Sequence, residues 1–111
     1  MSNSLHIYDS FGPLNTLLEG KKEVVVLIDK GIKDLYGGYF PYPQIEVQTG
    51  EEQKNLATVE YICRRLLELE CSRSAFLLCV GGGILTDIGG FVASIFKRGI
   101  KCGYVPTTLL A

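Results

Sequence analysis

The stretch FLLCVGGGILTDIGGFVASIFKRG, residues Phe76–Gly99, decides the fold. It begins with a short apolar run, Phe76–Val80, whose length is typical of a buried parallel strand. Three glycines, Gly81–Gly83, end that run, and the apolar residues beyond them recur at helical spacing. The stretch is therefore predicted to form a strand, a tight glycine turn and a helix. The residues that set the helical spacing are Ile84, Ile88, Val92 and Ile95.

The glycine turn is a candidate anion site. Backbone N–H groups in the first turn of a helix lack partners inside the helix and carry the positive end of its dipole. Glycines let a phosphate approach this backbone, and Asp87, one turn into the helix, can accept from a hydroxyl or backbone donor. The residues alone leave a second interpretation open, a tight turn without a ligand, because the spacing is GGGxxxD and not GxGxxG.

Composition predicts one globular domain. The chain has 111 residues, of which 47% are hydrophobic and 21% charged, with a net charge of -1. No basic stripe is present, which argues against a nucleic-acid partner. The four cysteines form no CxxC pair, so they are expected to be reduced and buried. No secretory signal or membrane-spanning run is visible, so a cytoplasmic location is expected.

Further strands are predicted on both sides of residue 29. Leu5–Tyr8 alternates as a half-buried strand does, and its His6 is expected to be a strand residue and not a metal ligand. Val24–Ile28 is a continuous apolar run, β-branched at every position except Leu27, and such a run is typical of an inner parallel strand. Asp29 follows at the carboxyl end of that strand, where α/β sheets place ligands. Holding a ribose hydroxyl and capping the next helix are equally open roles for Asp29.

The rest of the chain supplies charged and hydroxyl groups at strand ends. Gln44–Gln48 is predicted to be a strand, and Asn55 to cap a helix that runs to about Glu70. Glu51 and Lys54 lie in the loop before it, where solvated charges are the plain interpretation. Gly103–Val105 is predicted to form a last strand. Thr107 and Thr108 follow this last strand. The helix after the glycine turn is expected to end in Lys97, Arg98 and Gly99, where the basic pair would complement the negative end of the helix dipole. The apolar stripe of the helix capped by Asn55 consists of Leu56, Val59, Ile62, Cys63, Leu66 and Leu67.

The sequence GGGILTDIGGFVASIFKRGI, followed by PTTLLA, resembles the nucleotide-binding half of 3-dehydroquinate synthase. The similarity runs from about Val24 to Ala111. It implies a Rossmann-like parallel-sheet α/β domain that binds NAD, a helical domain with zinc or cobalt elsewhere in the parent enzyme, and a homodimer. The implied reaction, in the shikimate pathway of aromatic amino-acid biosynthesis, converts 3-deoxy-D-arabino-heptulosonate 7-phosphate to 3-dehydroquinate and phosphate. The enzyme class that the resemblance implies is a phosphate-eliminating carbon–oxygen lyase.

The resemblance also implies roles for individual residues. Asp29 resembles the carboxylate at the adenosine end of NAD, and Asp87 the one near the nicotinamide side. Arg98 resembles an arginine that crosses a dimer interface towards the partner's substrate phosphate. Glu51 and Lys54 match groups near a ribose and the phosphates; Gly82, Gly83 and Ile84 resemble the turn against the pyrophosphate; Thr107 and Thr108 match a threonine pair that lines the cofactor.

Two departures limit what the chain is expected to do. Gly31 stands where the family often has an asparagine, which removes one adenosine-side hydrogen bond. The glutamate and two histidines that hold the metal have no counterpart, so residues 1–111 are expected to be an NAD-binding domain, truncated at its C-terminus and inactive alone. The alternatives are another sugar-phosphate cyclase, the nucleotide domain of an iron-dependent alcohol or glycerol dehydrogenase, or a non-catalytic nucleotide-binding fragment.

Overall fold

The computed structural model describes residues 23–106, and these form a parallel four-stranded sheet with helices on both faces. The strand order is β2-β1-β3-β4, and every pair is parallel. The predicted parallel-sheet α/β fold is therefore confirmed. The strands are β1 (Val24–Asp29), β2 (Gln44–Val47), β3 (Phe76–Gly81) and β4 (Lys101–Pro106).

Helices connect the strands in alternation, as the sequence pattern predicts. Asn55 caps the second helix as expected, since its side-chain Oδ1 accepts from the amide of Thr58 at 2.9 Å. The predicted strand Leu5–Tyr8, with His6, lies outside the described residues. The helices are α1 (Lys30–Tyr36), α2 (Leu56–Glu68) and α3 (Gly83–Ile95), with short 3-10 turns at Gly37–Tyr39, Glu51–Gln53 and Phe96–Arg98.

The two central strands are buried on both faces. All of β3 is buried, and in β1 only Asp29 is partly exposed. Alternate side chains of these strands pack against α2 and α3 on one face and against Ile32 and Tyr36 of α1 on the other. This double cover explains why both strands are continuous apolar runs and not alternating ones.

Helix α3 contacts the sheet through two glycines whose positions leave no room for a side chain. A Cβ placed on Gly89 would lie 2.3 Å from the Sγ of Cys79. A Cβ on Gly90 would lie 3.0 Å from the hydroxyl oxygen of Tyr104. The Gly89–Gly90 pair is therefore a packing device between α3 and strands β3 and β4.

The predicted apolar stripes are partly wrong. On α2, Val59, Ile62 and Leu66 are buried, but Leu56 and Leu67 are 76% and 56% exposed. On α3, Ile95 is 48% exposed, whereas Leu85, which the predicted spacing omits, is fully buried. The sheet covers only a narrow strip of each helix, so apolar residues about 100° away around the helix axis remain in solvent.

The cysteines are free thiols, as predicted, and three of them are buried. Cys63 is the exception, because it lies at the partly exposed edge of α2. Burial raises the pKa of the Cys79 thiol strongly. The pKa of Tyr104 is also raised, chiefly by its hydrogen bond with Cys102, whose Sγ lies 3.3 Å from the phenolic oxygen. Cys79 and Tyr104 therefore remain protonated in the folded protein at neutral pH.

Candidate nucleotide-binding site

The carboxyl edge of the sheet collects the loops that carry the candidate site residues. Because the strands are parallel, Asp29, the end of β2 and the glycine turn after β3 all lie along this edge. Helix α1 packs on one face of the sheet and α3 on the other, so the chain diverges between β1 and β3. Ligands of open α/β sheets bind in the crevice at such a point.

The three glycines of the turn differ in whether their surroundings leave room for a side chain. A Cβ on Gly81 would lie 2.5 Å from Cδ2 of Leu85, so Gly81 is required by packing. Cβ atoms on Gly82 or Gly83 would meet nothing within 4 Å. Neither residue has a positive φ, which among the described glycines occurs at Gly99 alone. The space above Gly82 and Gly83 is therefore open, and neither packing nor backbone conformation in residues 23–106 demands a glycine there.

The amino terminus of α3 presents free backbone donors at this opening. Gly82 is the N-cap and has no side-chain capping bond, and the first turn contains no acidic residue. The first amide that bonds back onto the cap is that of Thr86, which donates to the carbonyl of Gly82 at 3.0 Å. The amides of Gly83, Ile84 and Leu85 precede it and have no intrahelical partner. Together with the helix dipole, they favour an anion.

Asp29 ties the end of β1 to two other segments. Its Oδ2 accepts from the amide of Gly31 at 3.0 Å, so the capping interpretation is confirmed. Its Oδ1 accepts from the amide of Thr49 at 3.3 Å and from the Thr49 hydroxyl. Sequence reasoning missed Thr49 as a partner, although its position directly after the predicted strand Gln44–Gln48 was a signal. The Asp29 carboxylate is thus held in a fixed orientation at the sheet edge.

Lys54 and Asp87, which are 33 residues apart in the chain, meet at the carboxyl edge. Lys54 Nζ lies 3.2 Å from Asp87 Oδ2, and the two side chains are 47% and 64% exposed. An ion pair this exposed contributes about 1 kcal/mol or less to stability. Its main consequence is geometric, because it brings a cation and a carboxylate together one turn from the open glycines.

An apolar pocket of about 310 Å³ opens beside this ion pair, between α2 and α3. Val59 and Ile88 are buried in its floor, while Leu56 and Phe91 line it with 76% and 49% of their surfaces exposed. Sequence reasoning did not assign Leu56 or Phe91 to the site. Such a pocket, apolar inside and charged at the rim, is typical of small-molecule sites. The lining residues are Lys54, Asn55, Leu56, Val59, Asp87, Ile88 and Phe91.

The remaining predicted site residues fall into two groups. Glu51 is exposed in the turn Glu51–Gln53, at the same edge of the sheet, and Ile84 is partly buried in the first turn of α3. Strand β4 ends at Pro106, which pairs with Gly81. Pro106 is the last described residue, so the predicted Thr107 and Thr108 lie outside the described residues.

Arg98 lies apart from the other candidate site residues. It precedes β4 and therefore lies at the amino edge of the sheet, whereas the glycine turn lies at the carboxyl edge. The predicted helix end is wrong: α3 ends at Ile95, and its last turn contains no basic residue. Lys97, Arg98 and Gly99 have φ values of 46°, 70° and 112°. For the two residues with a Cβ, such backbone costs on the order of 1 to 3 kcal/mol each.

Within residues 23–106, no three His, Cys, Asp or Glu side chains are grouped in a way that could hold a metal ion. None of the described helices combines the length and apolar character needed to cross a bilayer.

The sequence profile of the family described as 3-dehydroquinate synthase N-terminal matches residues 44–111. The chain belongs to the 3-dehydroquinate synthase family. The 3-dehydroquinate synthase of Pyrococcus furiosus is 42% identical over 113 residues, which cover 91% of this chain and 34% of the relative. That of Campylobacter hominis is 51% identical over 67 residues, which cover 60% of this chain and 20% of the relative. The chain thus spans about a third or less of these family members.

Solved structures of sugar-phosphate cyclases share the fold. The structure of 2-deoxy-scyllo-inosose synthase with carbaglucose-6-phosphate, NAD+ and Co2+ is 29% identical, with a TM-score of 0.66 over 77% of this chain and 26% of that one. A 2-epi-5-epi-valiolone synthase from Streptomyces hygroscopicus with NAD+ and Zn2+ is 25% identical, with a TM-score of 0.70 over 82% and 28%. A probable glycerol dehydrogenase from Sinorhizobium meliloti, 21% identical over 85% of this chain and 25% of that one, has a TM-score of 0.65, which shows the fold alone.

Proposed function

We propose that this chain is the NAD-binding part of a 3-dehydroquinate synthase, which converts 3-deoxy-D-arabino-heptulosonate 7-phosphate to 3-dehydroquinate and phosphate. The observation that carries the proposal is the open space above Gly82 and Gly83 at the donor end of α3. A pyrophosphate is the anion that such a turn accommodates, because it can accept from several adjacent amides without meeting a Cβ. We further propose that residues 1–111 act as one cofactor-binding domain, in the cytoplasm.

The residues of the carboxyl edge fit NAD in this proposal. The amides at Gly83 and Ile84 hold the pyrophosphate, and Lys54 neutralises part of its charge. Asp29 faces the adenosine end, where its fixed orientation leaves its remaining acceptor capacity for a ribose hydroxyl. Asp87 lies at the nicotinamide side, beside the apolar pocket. Glu51, Gly82, Thr107 and Thr108 complete the proposed set.

When bound, NAD would supply a transient oxidation of a substrate alcohol that is later reversed by return of the hydride, so the complete reaction would have no net redox change. The residues of this chain bind and orient. The amide donors and Lys54 fix the phosphates, and the exposed apolar side chains of Leu56 and Phe91 offer a surface on which the bound ligand can pack. The inosose and valiolone synthase structures contain Co2+ or Zn2+, and we propose that the complete enzyme holds a divalent metal outside residues 23–106. The chain alone is expected not to turn over substrate.

Arg98 has a separate place in the proposal. Strand β4 has six residues and spans roughly 20 Å, which separates Arg98 from the cofactor edge of its own sheet. We therefore propose that Arg98 contacts the phosphate of a substrate bound to a second copy of the enzyme, in a homodimer. An exposed guanidinium suits this role, because its fork of N–H donors can bind a phosphate through two oxygens.

Calorimetric titration of the chain with NAD and with ADP-ribose tests the proposed cofactor. We expect micromolar binding of both, because both carry the pyrophosphate. Lys54→Met is expected to weaken both affinities, whereas Arg98→Met, at the opposite edge, serves as the matched control and should change neither. Failure of the unmodified chain to bind either compound would contradict the proposed function of this domain.

Another sugar-phosphate cyclase remains the second candidate, because the solved structures with the same fold include inosose and valiolone synthases. Such an enzyme would use the same cofactor turn and differ in its substrate. The complete enzyme, assayed with heptulosonate 7-phosphate and with hexose and heptose phosphates, separates the two candidates. Phosphate release from the hexose or heptose phosphate, without release from heptulosonate 7-phosphate, would favour the second candidate.

A further inference from the structure

A strained turn joins α3 to β4 at the amino edge of the sheet. Three consecutive residues, Lys97, Arg98 and Gly99, have positive φ values, and only the last is a glycine. Residues with a Cβ rarely adopt this conformation, and they keep it only when surrounding contacts hold it in place. The contacts of this turn therefore show what fixes the direction of Arg98.

Two backbone bonds close the turn, and one side chain anchors it. The amide of Gly99 donates to the carbonyl of Phe96 at 2.8 Å, and that of Ile100 to the carbonyl of Ala93 at 2.8 Å. The side-chain anchor is Lys97, whose Nζ donates to the carbonyl of Cys71 at 2.8 Å. The same Nζ lies 5.7 Å from the centre of the Phe96 ring. Lys97 thus links the turn to the loop that enters β3.

The two cations of this turn are used differently. The Lys97 side chain lies against the protein, where its Nζ donates to the carbonyl of the buried residue Cys71 and lies near the ring of the buried residue Phe96. Arg98 is exposed, and among the described residues it makes no ion pair. The backbone of Arg98 is therefore held by its neighbour, while its guanidinium is left for a ligand.

We propose that Lys97 is a positioning residue: its bond to the Cys71 carbonyl holds the left-handed turn and thereby sets the direction in which the exposed Arg98 leaves it. The use of that direction, contact with a phosphate bound to a second copy, rests on the proposed function. The anchoring itself does not, because it involves only contacts within one chain.

Amide hydrogen exchange measured by NMR tests the anchoring. In Lys97→Met, loss of a charge-assisted hydrogen bond is expected to raise the exchange rates of the Gly99 and Ile100 amides by about tenfold or more. The three-bond coupling between the amide proton and the α proton of residue 98, which reports φ, should also change from the value of its positive-φ backbone. Lys97→Arg, which keeps a donor, should restore both readouts. Arg98→Met is the matched control, since it removes the same charge one residue away and should change neither.

Two results would overturn the inference. One is that the amide exchange rates of Gly99 and Ile100 are the same in Lys97→Met as in the unmodified chain. The other is an increase that extends equally to the amides of β1 and β3, because that would report a general loss of stability and no local anchor.

In the complete synthase, Lys97→Met is expected to raise the KM for the phosphorylated substrate, and to raise it no further when Arg98→Met is already present. If Arg98→Met leaves KM unchanged while the exchange result holds, the proposed phosphate contact fails and the anchoring stands.

Discussion

Replacement of Gly83 by alanine separates a ligand-binding glycine from a structural one. Gly83 begins α3, its φ is not positive, and a Cβ there would meet nothing within 4 Å. The fold should therefore accept alanine. Because alanine restricts the unfolded chain more than glycine does, we expect the free energy of unfolding to rise by about 0.4 to 1 kcal/mol.

The same methyl group is expected to weaken NAD binding, since it occupies the space through which a phosphate approaches the helix amides. Loss of one hydrogen bond to a charged group corresponds to about 1.5 to 3 kcal/mol, or roughly a tenfold to hundredfold rise in Kd. Urea unfolding and calorimetric titration measure the two quantities on one preparation.

Gly99→Ala is the matched control for Gly83→Ala. Gly99 has a φ of 112°, which strains any residue with a Cβ, and it lies at the opposite edge of the sheet. Its replacement should lower the free energy of unfolding by about 1 kcal/mol or more and leave the Kd for NAD unchanged. If Gly83→Ala destabilised the protein and bound NAD normally, the reasoning about the open turn would be refuted.

Three further predictions concern packing, capping and pH. Gly89→Ala should lower the free energy of unfolding by about 1 to 3 kcal/mol in urea titrations, because the methyl group would collide with the Cys79 thiol; unchanged stability would contradict the close packing of α3. Asn55→Ala should cost about 0.5 to 2 kcal/mol by loss of the cap of α2, with Asn55→Asp retaining most of the stability. Burial raises the pKa of Cys79 in the folded state, so stability should be complete below the unfolded thiol's pKa of about 8.5 and fall as the pH rises above it. Thermal unfolding between pH 8 and 10.5 should show a shallower decline in Cys79→Ala, and an identical slope would argue against this cause.

The inner strands and the glycine turn were predictable from sequence because local chemistry determines them. Val24–Ile28 and Phe76–Val80 are unbroken apolar runs, which suit only strands covered on both faces. Asn55 was predictable as a cap because asparagine before a helical stripe satisfies a free amide at close range. In each case the residues that carry the signal are near one another in the chain.

Contacts between distant segments were not predictable in the same way. The ion pair of Lys54 with Asp87 and the bond of Lys97 to the Cys71 carbonyl depend on how helices cross the sheet. The helix end at Ile95 was missed because lysine and arginine at positive φ contradict local preference and are held by tertiary contacts. The family resemblance named a wider set of site residues, and the structure brings Asp29, Lys54 and Asp87 of that set to one edge.

Amide chemical shifts recorded during an NAD titration test the central claim most directly, because they locate the ligand on the sheet. The largest shifts are expected at Gly82–Leu85 and at Asp29, with little change at Lys97–Gly99 on the opposite edge. Shifts centred on the amino edge, or none at saturating NAD, would contradict the central claim.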